Sequence, residues 1–454
     1  MTKTMTEGKP LKLILAFALP LLLGNLFQQT YNLVDTAIVG RTLGSNALAS
    51  VGVSSSVQFL VLGFCQGMSI GFSIPVATKL GAGKLHEMKQ YVYTGSVLAG
   101  IIAIVLTVLT CLLCGSILSI LQTPAEVLSG AYSYLFTIFC GIPCTILYNY
   151  LSSILRAIGD SKTPFFFLAF SAVLNVFLDL FFIIVCHMGV FGAAFATILS
   201  QGVSGLLCLF LIVSKVDLLH PHAEDRILEK DKVMHSLNMG IPMGLQFSIT
   251  AIGSMVMQTS NNTLGTVYVS AYAAGLKIKQ FMMSPFDAIA TAASTFASQN
   301  FGAEKSERIH SGIRIGFALA IGYSIFATAV MVLFGRQLSM MFLDAGDAAI
   351  LDASALYLKS IGYFYSALGI LIVARQSVQG LGFSQRAVLA GVIEMIARCI
   401  VCLGFTSSFG FIAICSADQA AWITGTLYLI PTLIFCLKRA DREIACSKTY
   451  KESV

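Results

Sequence analysis

Long apolar runs, separated by short polar connections, recur twelve times along this 454-residue chain. A membrane-spanning helix needs roughly 20 mainly apolar residues. The runs reach that length at roughly 11–39, 50–78, 92–118, 131–156, 165–187, 190–214, 233–261, 268–299, 308–335, 352–376, 386–407 and 411–437. Stretches such as 101–113 and 165–185 show no period of two. A membrane barrel would show alternating segments of about 10 residues. The fold class is therefore an all-α integral membrane protein. The first run passes Gly24 without a small-residue cleavage pattern, so it reads as a retained first helix.

Composition agrees. Charged residues are 11% of the chain, against about 25% in an ordinary soluble domain, and mean hydropathy is +0.83. So little charge cannot cover a soluble surface, which excludes soluble enzymes and secreted disulfide scaffolds. The net charge of +6 does not imply a nucleic-acid partner, because the basic residues lie in short segments between runs. Cys111/Cys114 and Cys399/Cys402 have C-x-x-C spacing, but they sit in apolar runs without clustered His or carboxylates. They read as small packing residues. No cofactor is expected, and no metal beyond a coupling ion.

Lys and Arg set the orientation. With the amino terminus in the cytoplasm, 22 of the 28 Lys and Arg fall on that side, and Arg41, Arg336 and Lys359 fall opposite. Lys277, Lys279 and Arg398 lie inside runs. Both termini are expected to be cytoplasmic, in a multi-pass protein of the bacterial inner membrane.

The chain repeats internally. Pro20 corresponds to Pro242, Leu43-Gly44 to Leu264-Gly265, Gly81-Ala82 to Gly302-Ala303, and Gly159 to Gly382. The offsets stay within 221–223 residues. Each repeat holds six runs, so the halves share topology and should be related by a pseudo-two-fold axis along the membrane normal. The expected organisation is an amino-terminal lobe (1–214), a loop (215–232) and a carboxy-terminal lobe with a short tail (233–454). Gly63/Gly67/Gly71 and Gly312/Gly316 have the spacing of close helix contacts. Pro20 and Pro242 could bend their helices, for packing or for rocking of the halves.

Ionisable groups inside a membrane are costly and mark cavities, partners or ion paths. Run one aligns Asn25, Gln28, Asn32 and Asp35 on one helical face. Run four carries Asn149, Ser152 and Arg156, run five Ser171, Asn175 and Asp179, and run six Thr197, Gln201 and Ser204. Four polar stripes in one half point to one interior cavity with Asp35 and Asp179 as its charges. Their oxygens suit a hard cation such as Na+. Alternatively, burial favours the neutral form of a carboxyl and makes it a proton carrier. In the second half, Glu394 and Arg398 have the spacing of an intrahelical ion pair, which reads as structural. Asp287 shares a face with Lys277, and Asp418 reads as near the outer end of its run. Met255, Met257, Met282 and Met283, with Gln28, Asn32 and Gln201, could line an adaptable substrate cleft.

NLVDTAIVGRTLG (32–44), LRAIGDSKTP (155–164) followed by LNVFLD (174–179), and QNFGA (299–303) resemble the multidrug and toxic compound extrusion family. The resemblance covers 11–437. It implies two six-helix lobes around a cleft and export of amphiphilic, often cationic compounds in exchange for sodium or protons. One prokaryotic branch couples through an amino-terminal-lobe cluster, whose pattern falls here on Asp35, Asn149, Asn175, Asp179 and Thr197. The other well-known branch uses acids of the second lobe, but run seven here has no glutamate and run ten none beyond its outer end. The expected partners are small organic molecules and the lipid bilayer, with no nucleic acid, for a monomeric chain. A lipid-linked precursor flippase of the wider superfamily is the rival reading, since Lys277 and Lys279 could meet a pyrophosphate. An enzyme would need a nucleophile–base pair or metal set that the runs do not display.

Overall fold

The computed structural model describes residues 4–121, 123–343 and 346–453, and every regular element among them is helical. The first repeat forms α1 (Pro10–Leu43), α2 (Ser45–Gly81), α3 (Leu85–Ile120), α4 (Ala125–Cys140), α5 (Ile142–Ala157), α6 (Lys162–Leu180) and α7 (Gly189–Lys215). The second forms α8 (Lys230–Asn262), α9 (Thr266–Gly302), α10 (Ser306–Ser339), α11 (Ala348–Gly362), α12 (Tyr365–Gly380), α13 (Ser384–Phe409) and α14 (Phe411–Ser453). Hydrocarbon offers no partner to backbone N–H and C=O groups, so a spanning segment must satisfy them within its own helix.

Nine of these helices are long and apolar enough to span a membrane unaided. Two further spans are broken in the middle. α4 and α5 meet at 46°, and α11 and α12 at 54°. Runs four and ten, each expected as one helix, are therefore two helices apiece. Gly141 is the break in the first repeat, and Pro143, early in α5, lacks the N–H that would continue α4's ladder. The second break follows Gly362, so the kink itself recurs at the repeat spacing. α9, 37 residues long and carrying Lys277, Lys279 and Asp287, occupies the place of run eight.

The repeat is visible in backbone conformation too. Gly44 and Gly265, which precede α2 and α9, have φ of +84° and +99°. Gly159 and Gly382 have +89° and +90°. Only glycine enters this region at no steric cost, so the glycines matched in sequence terminate equivalent helices.

The described chain divides into two compact units. Leu23–Ser248 make up most of one, and Met5–Leu22 with Ile249–Val454 make up the other. α1 and α8 thus each contribute residues to both units, α1 just beyond Pro20 and α8 just beyond Pro242. The 215–232 segment lies within the first unit. Leu219 is in that unit's core, and Asp225 takes His86 at 2.6 Å. Cys114 and Cys402 are core residues of the first and second unit respectively.

Glycine sets the closest helix contacts. In the first unit α2 meets the first half of α8 across Gly63, Gly67 and Gly71, opposed by Gly240 and Gly244. A Cβ on Gly67 would lie 2.4 Å from the Met243 carbonyl, and one on Gly240 2.3 Å from the Phe72 ring. Small residues facing each other in this way let helix backbones approach without a hydrophobic driving force. In the second unit Gly312 of α10 makes room for Phe296 of α9. Gly67→Val should lower the thermal unfolding midpoint of the purified protein, by a cost of about 1–3 kcal/mol for overpacking. Gly100→Val on α3, where a Cβ meets nothing within 4 Å, should leave it unchanged.

Candidate functional site

In the first unit, the expected carboxylates meet. Asp35 on α1 and Asp179 on α6 bring their carboxyl groups within hydrogen-bonding reach of each other. Asp179 is fully buried. Among the described residues neither of its oxygens has a donor, and Oδ1 of Asp35 has none either. Asn175 lies one turn before Asp179 on the same face of α6, and its Oδ1 is likewise buried without a partner. Its Nδ2 points the other way, 3.5 Å from Oγ1 of Thr197 on α7. Thr197 in turn donates to the Ala193 carbonyl at 3.1 Å.

This is a site rich in acceptors and poor in donors. Buried polar atoms in proteins are nearly always hydrogen-bonded, so these four oxygens on two facing helices are free to accept a donor or a cation. The residues fit a small cation, because carboxylate and amide oxygens are hard ligands, and they fit a proton shared between two carboxyls. The helix carrying Asn175 and Asp179 changes form just beyond them, into a π-helical turn at Phe181–Val185. Single π turns inside helices are often associated with functional positions.

Other expected members stand apart. Asn149 on α5 is half-buried and takes no part in either contact. Gln201 on α7 accepts a 2.6 Å hydrogen bond from Thr145 of α5. Gln28 and Asn32 are exposed on α1. Two tyrosines join the site that periodicity did not mark. Tyr31 stands beside Asp35 and bonds Gln28, and Tyr134 of α4 faces Asp35 and bonds Gln58 of α2. A tyrosine next to the Asn32–Asp35 stripe was the available signal, but an aromatic in an apolar run reads first as packing.

The second unit holds a different arrangement. Glu394 and Arg398 on α13 are 2% and 5% exposed, but their direct contact is a long 3.9 Å. The expected intrahelical pair is thus the weak member of a larger network. Glu394 is held by Arg375 of α12. Arg398 Nε donates to Asp418 Oδ1 at 3.1 Å. Lys279 of α9 and the Tyr357 hydroxyl of α11, the latter at 3.1 Å, both donate to Asp418 Oδ2. Lys279 also lies over the Trp422 ring, 5.4 Å from its centroid. Asp418, expected near the outer end of its span, is instead the buried centre of this network. Arg375, counted with the cytoplasmic basic residues, is largely buried in it.

The methionines are divided. Met257 is fully buried in the second unit's core, whereas Met282 and Met283 are half-buried against it. Met255 is half-buried. The Tyr323 hydroxyl donates to the Met282 carbonyl at 3.0 Å. Among the described residues no three His, Cys, Asp or Glu side chains cluster as a metal site.

The sequence profile of the MatE family matches residues 20–181 and again 242–403. The chain belongs to the MatE family. The two matches are offset by the spacing already seen between Pro20 and Pro242. The chain is 31% identical to the probable multidrug resistance protein YpnP of Bacillus subtilis, over 89% of each sequence. It is 28% identical to the probable multidrug resistance protein YoeA of the same organism, over 80% of each. A crystal structure of a MATE protein in complex with MaL6 aligns with a TM-score of 0.89, covering 97% of this chain and 99% of that one at 20% identity. The fold is the twelve-helix, two-lobed fold of MATE transporters, and the relatives point to a membrane transporter that exports drugs rather than to an enzyme.

The network in the second unit makes a stability prediction. Asp418→Asn leaves Arg398 and Lys279 buried without their counter-charge, at a cost of about 3–5 kcal/mol. The yield of monodisperse protein should fall sharply. Asp352→Asn breaks only the exposed pair with Arg336, at 3.3 Å, and should change stability by about 0–1 kcal/mol in the same size-exclusion measurement.

Proposed function

We propose that this chain is a secondary antiporter that exports amphiphilic, cationic organic compounds in exchange for Na+ or H+, coupled at Asp35 and Asp179. The supporting observation is the pair of facing carboxyls with no donor between them. Two carboxylates in contact repel each other. A proton held between them, or a small cation with Asn175 as a further ligand, relieves that repulsion and leaves α1 and α6 joined. Loss of the ion restores the repulsion and favours a state in which the helices part. The ion thus acts through differential affinity for two conformations, as any ligand that drives a change must. Thr197 positions Asn175 through its amide nitrogen and leaves the oxygen toward the site. The orientation that supports export has both termini in the cytoplasm, from the Lys and Arg bias.

The flippase reading needs cations free to meet a pyrophosphate. Of the two lysines that suggest it, Lys279 is engaged by the buried Asp418 and Lys277 alone stays without an ion pair among the described residues, which weighs against a pyrophosphate clamp. The cleft and the monomeric state belong to the antiporter reading and stand or fall with it.

The test is transport in reconstituted vesicles with a sodium or a proton gradient imposed separately. Wild-type protein should move a fluorescent lipophilic cation under one gradient and not the other. Asp35→Asn and Asp179→Asn should each lose gradient-driven transport while inserting normally. Undiminished dye movement in both variants overturns the assignment. Asn175→Ala should weaken ion dependence, by raising the ion concentration for half-maximal transport roughly tenfold, the loss of about one ligand contact.

A further inference from the structure

The second unit has a groove that neither the carboxyl pair nor the ion network uses. It runs between α10, α12 and α14 and encloses about 480 Å³. Ile313, Phe317 and Ile321 of α10 form one wall and Ile430, Leu433 and Leu437 of α14 the other. His310, Arg314 and Lys438 also line it.

Their placement follows from the sequence. His310 and Arg314 lie in the first turns of α10, and Ile321 is eleven residues along from His310. Lys438 lies beyond Ile430 and Leu433, toward the end of α14. α10 leaves the basic end of the unit as α14 approaches it, so the three basic side chains gather at one end of the groove and the apolar ones fill the rest. Eleven residues of helix rise about 16 Å, roughly half of a hydrocarbon core about 30 Å thick. The groove is as deep as one leaflet.

The basic groups are not equivalent. His310 is engaged by Asp441 at 3.1 Å, and Arg439 beside Lys438 is engaged by Glu443 at 3.0 Å. Arg314 and Lys438 are both exposed and have no ion pair or hydrogen bond among the described residues. α10 also has the smallest buried share of the nine apolar spans.

The geometry points to a binding site for one anionic phospholipid, with an acyl chain in the groove and the phosphate between Arg314 and Lys438. Basic pockets between helices at the membrane surface recognise anionic head groups in this way. The rim charge repels a cationic amphiphile, so the groove is not a second site for the transported compound. Free phosphate would gain nothing from the isoleucine and leucine walls, so the occupant is the lipid.

Native mass spectrometry of the full-length protein tests this, in detergent with equal phosphatidylglycerol and phosphatidylcholine. Wild-type protein should retain phosphatidylglycerol in preference to phosphatidylcholine. Arg314→Gln combined with Lys438→Gln should weaken phosphatidylglycerol retention roughly thirtyfold, with about tenfold or less from each charge. Ile434 lies on the same α14 wall, and Ile434→Trp, which fills the groove and keeps both charges, should reduce retention of both lipids. Equal retention of the two lipids by wild-type protein overturns the proposal. So does unchanged phosphatidylglycerol retention in either variant. Displacement of the lipid by millimolar inorganic phosphate would identify a simple phosphate site and overturn it as well. Neither substitution touches Asp35 or Asp179, so failure here leaves the coupling assignment standing.

Discussion

A polar group without a partner is costly in hydrocarbon, and this chain answers that constraint in two opposite ways. In the second unit the buried charges pair with one another, though Nε of Arg375 and Nη1 of Arg398 are left without a partner among the described residues. Asp418 draws Lys279, Arg398 and the Tyr357 hydroxyl to one point, and Glu394 takes Arg375. In the first unit the same cost is left open. Asp35, Asp179 and Asn175 present oxygens to one another with no donor to satisfy them. Paired charges hold their helices together, whereas two facing carboxyls repel unless one of them is neutralised. The two repeats share a frame and differ in how they treat charge.

The shared frame was legible because it rests on local rules. Apolar length gave the spans, and glycine with positive φ marked their ends at Gly44, Gly159, Gly265 and Gly382. The carboxyl pair was legible as well, since steps of three and four along α1 and α6 place Asp35 and Asp179 on polar stripes. The breaks within runs four and ten were not legible. Pro143 announced one of them, but hydropathy is averaged over windows wider than a kink, and the second break has no proline.

The charge network shows where periodicity stops being informative. Glu394 and Arg398 are four apart on one helix, yet each finds its better partner on another. Arg375 and Asp418 lie 43 residues apart in sequence and enter one network through α13. No spacing rule along a single helix reaches such pairs. Tyr31 and Tyr134 were missed for a related reason, because a buried aromatic declares its hydroxyl partner only in three dimensions.

The membership of α1 and α8 in both units has a consequence for how the protein is made. A nascent chain enters the membrane from its amino terminus, and the unit built mainly from the first repeat contains residues up to Ser248. That unit cannot close when α7 has been inserted. It must wait for the first half of α8, whose Gly240 and Gly244 fit against α2. Residues Met5–Leu22 wait longer still, because the core they complete includes Ala288, Ala292 and Phe296 of α9. Residues Met5–Leu22, synthesised ahead of α8 and α9, are thus packed only after both. A chain severed in the 215–232 loop would yield two fragments, neither of which holds all the residues of a unit, so assembly is obliged to be a joint act of both halves.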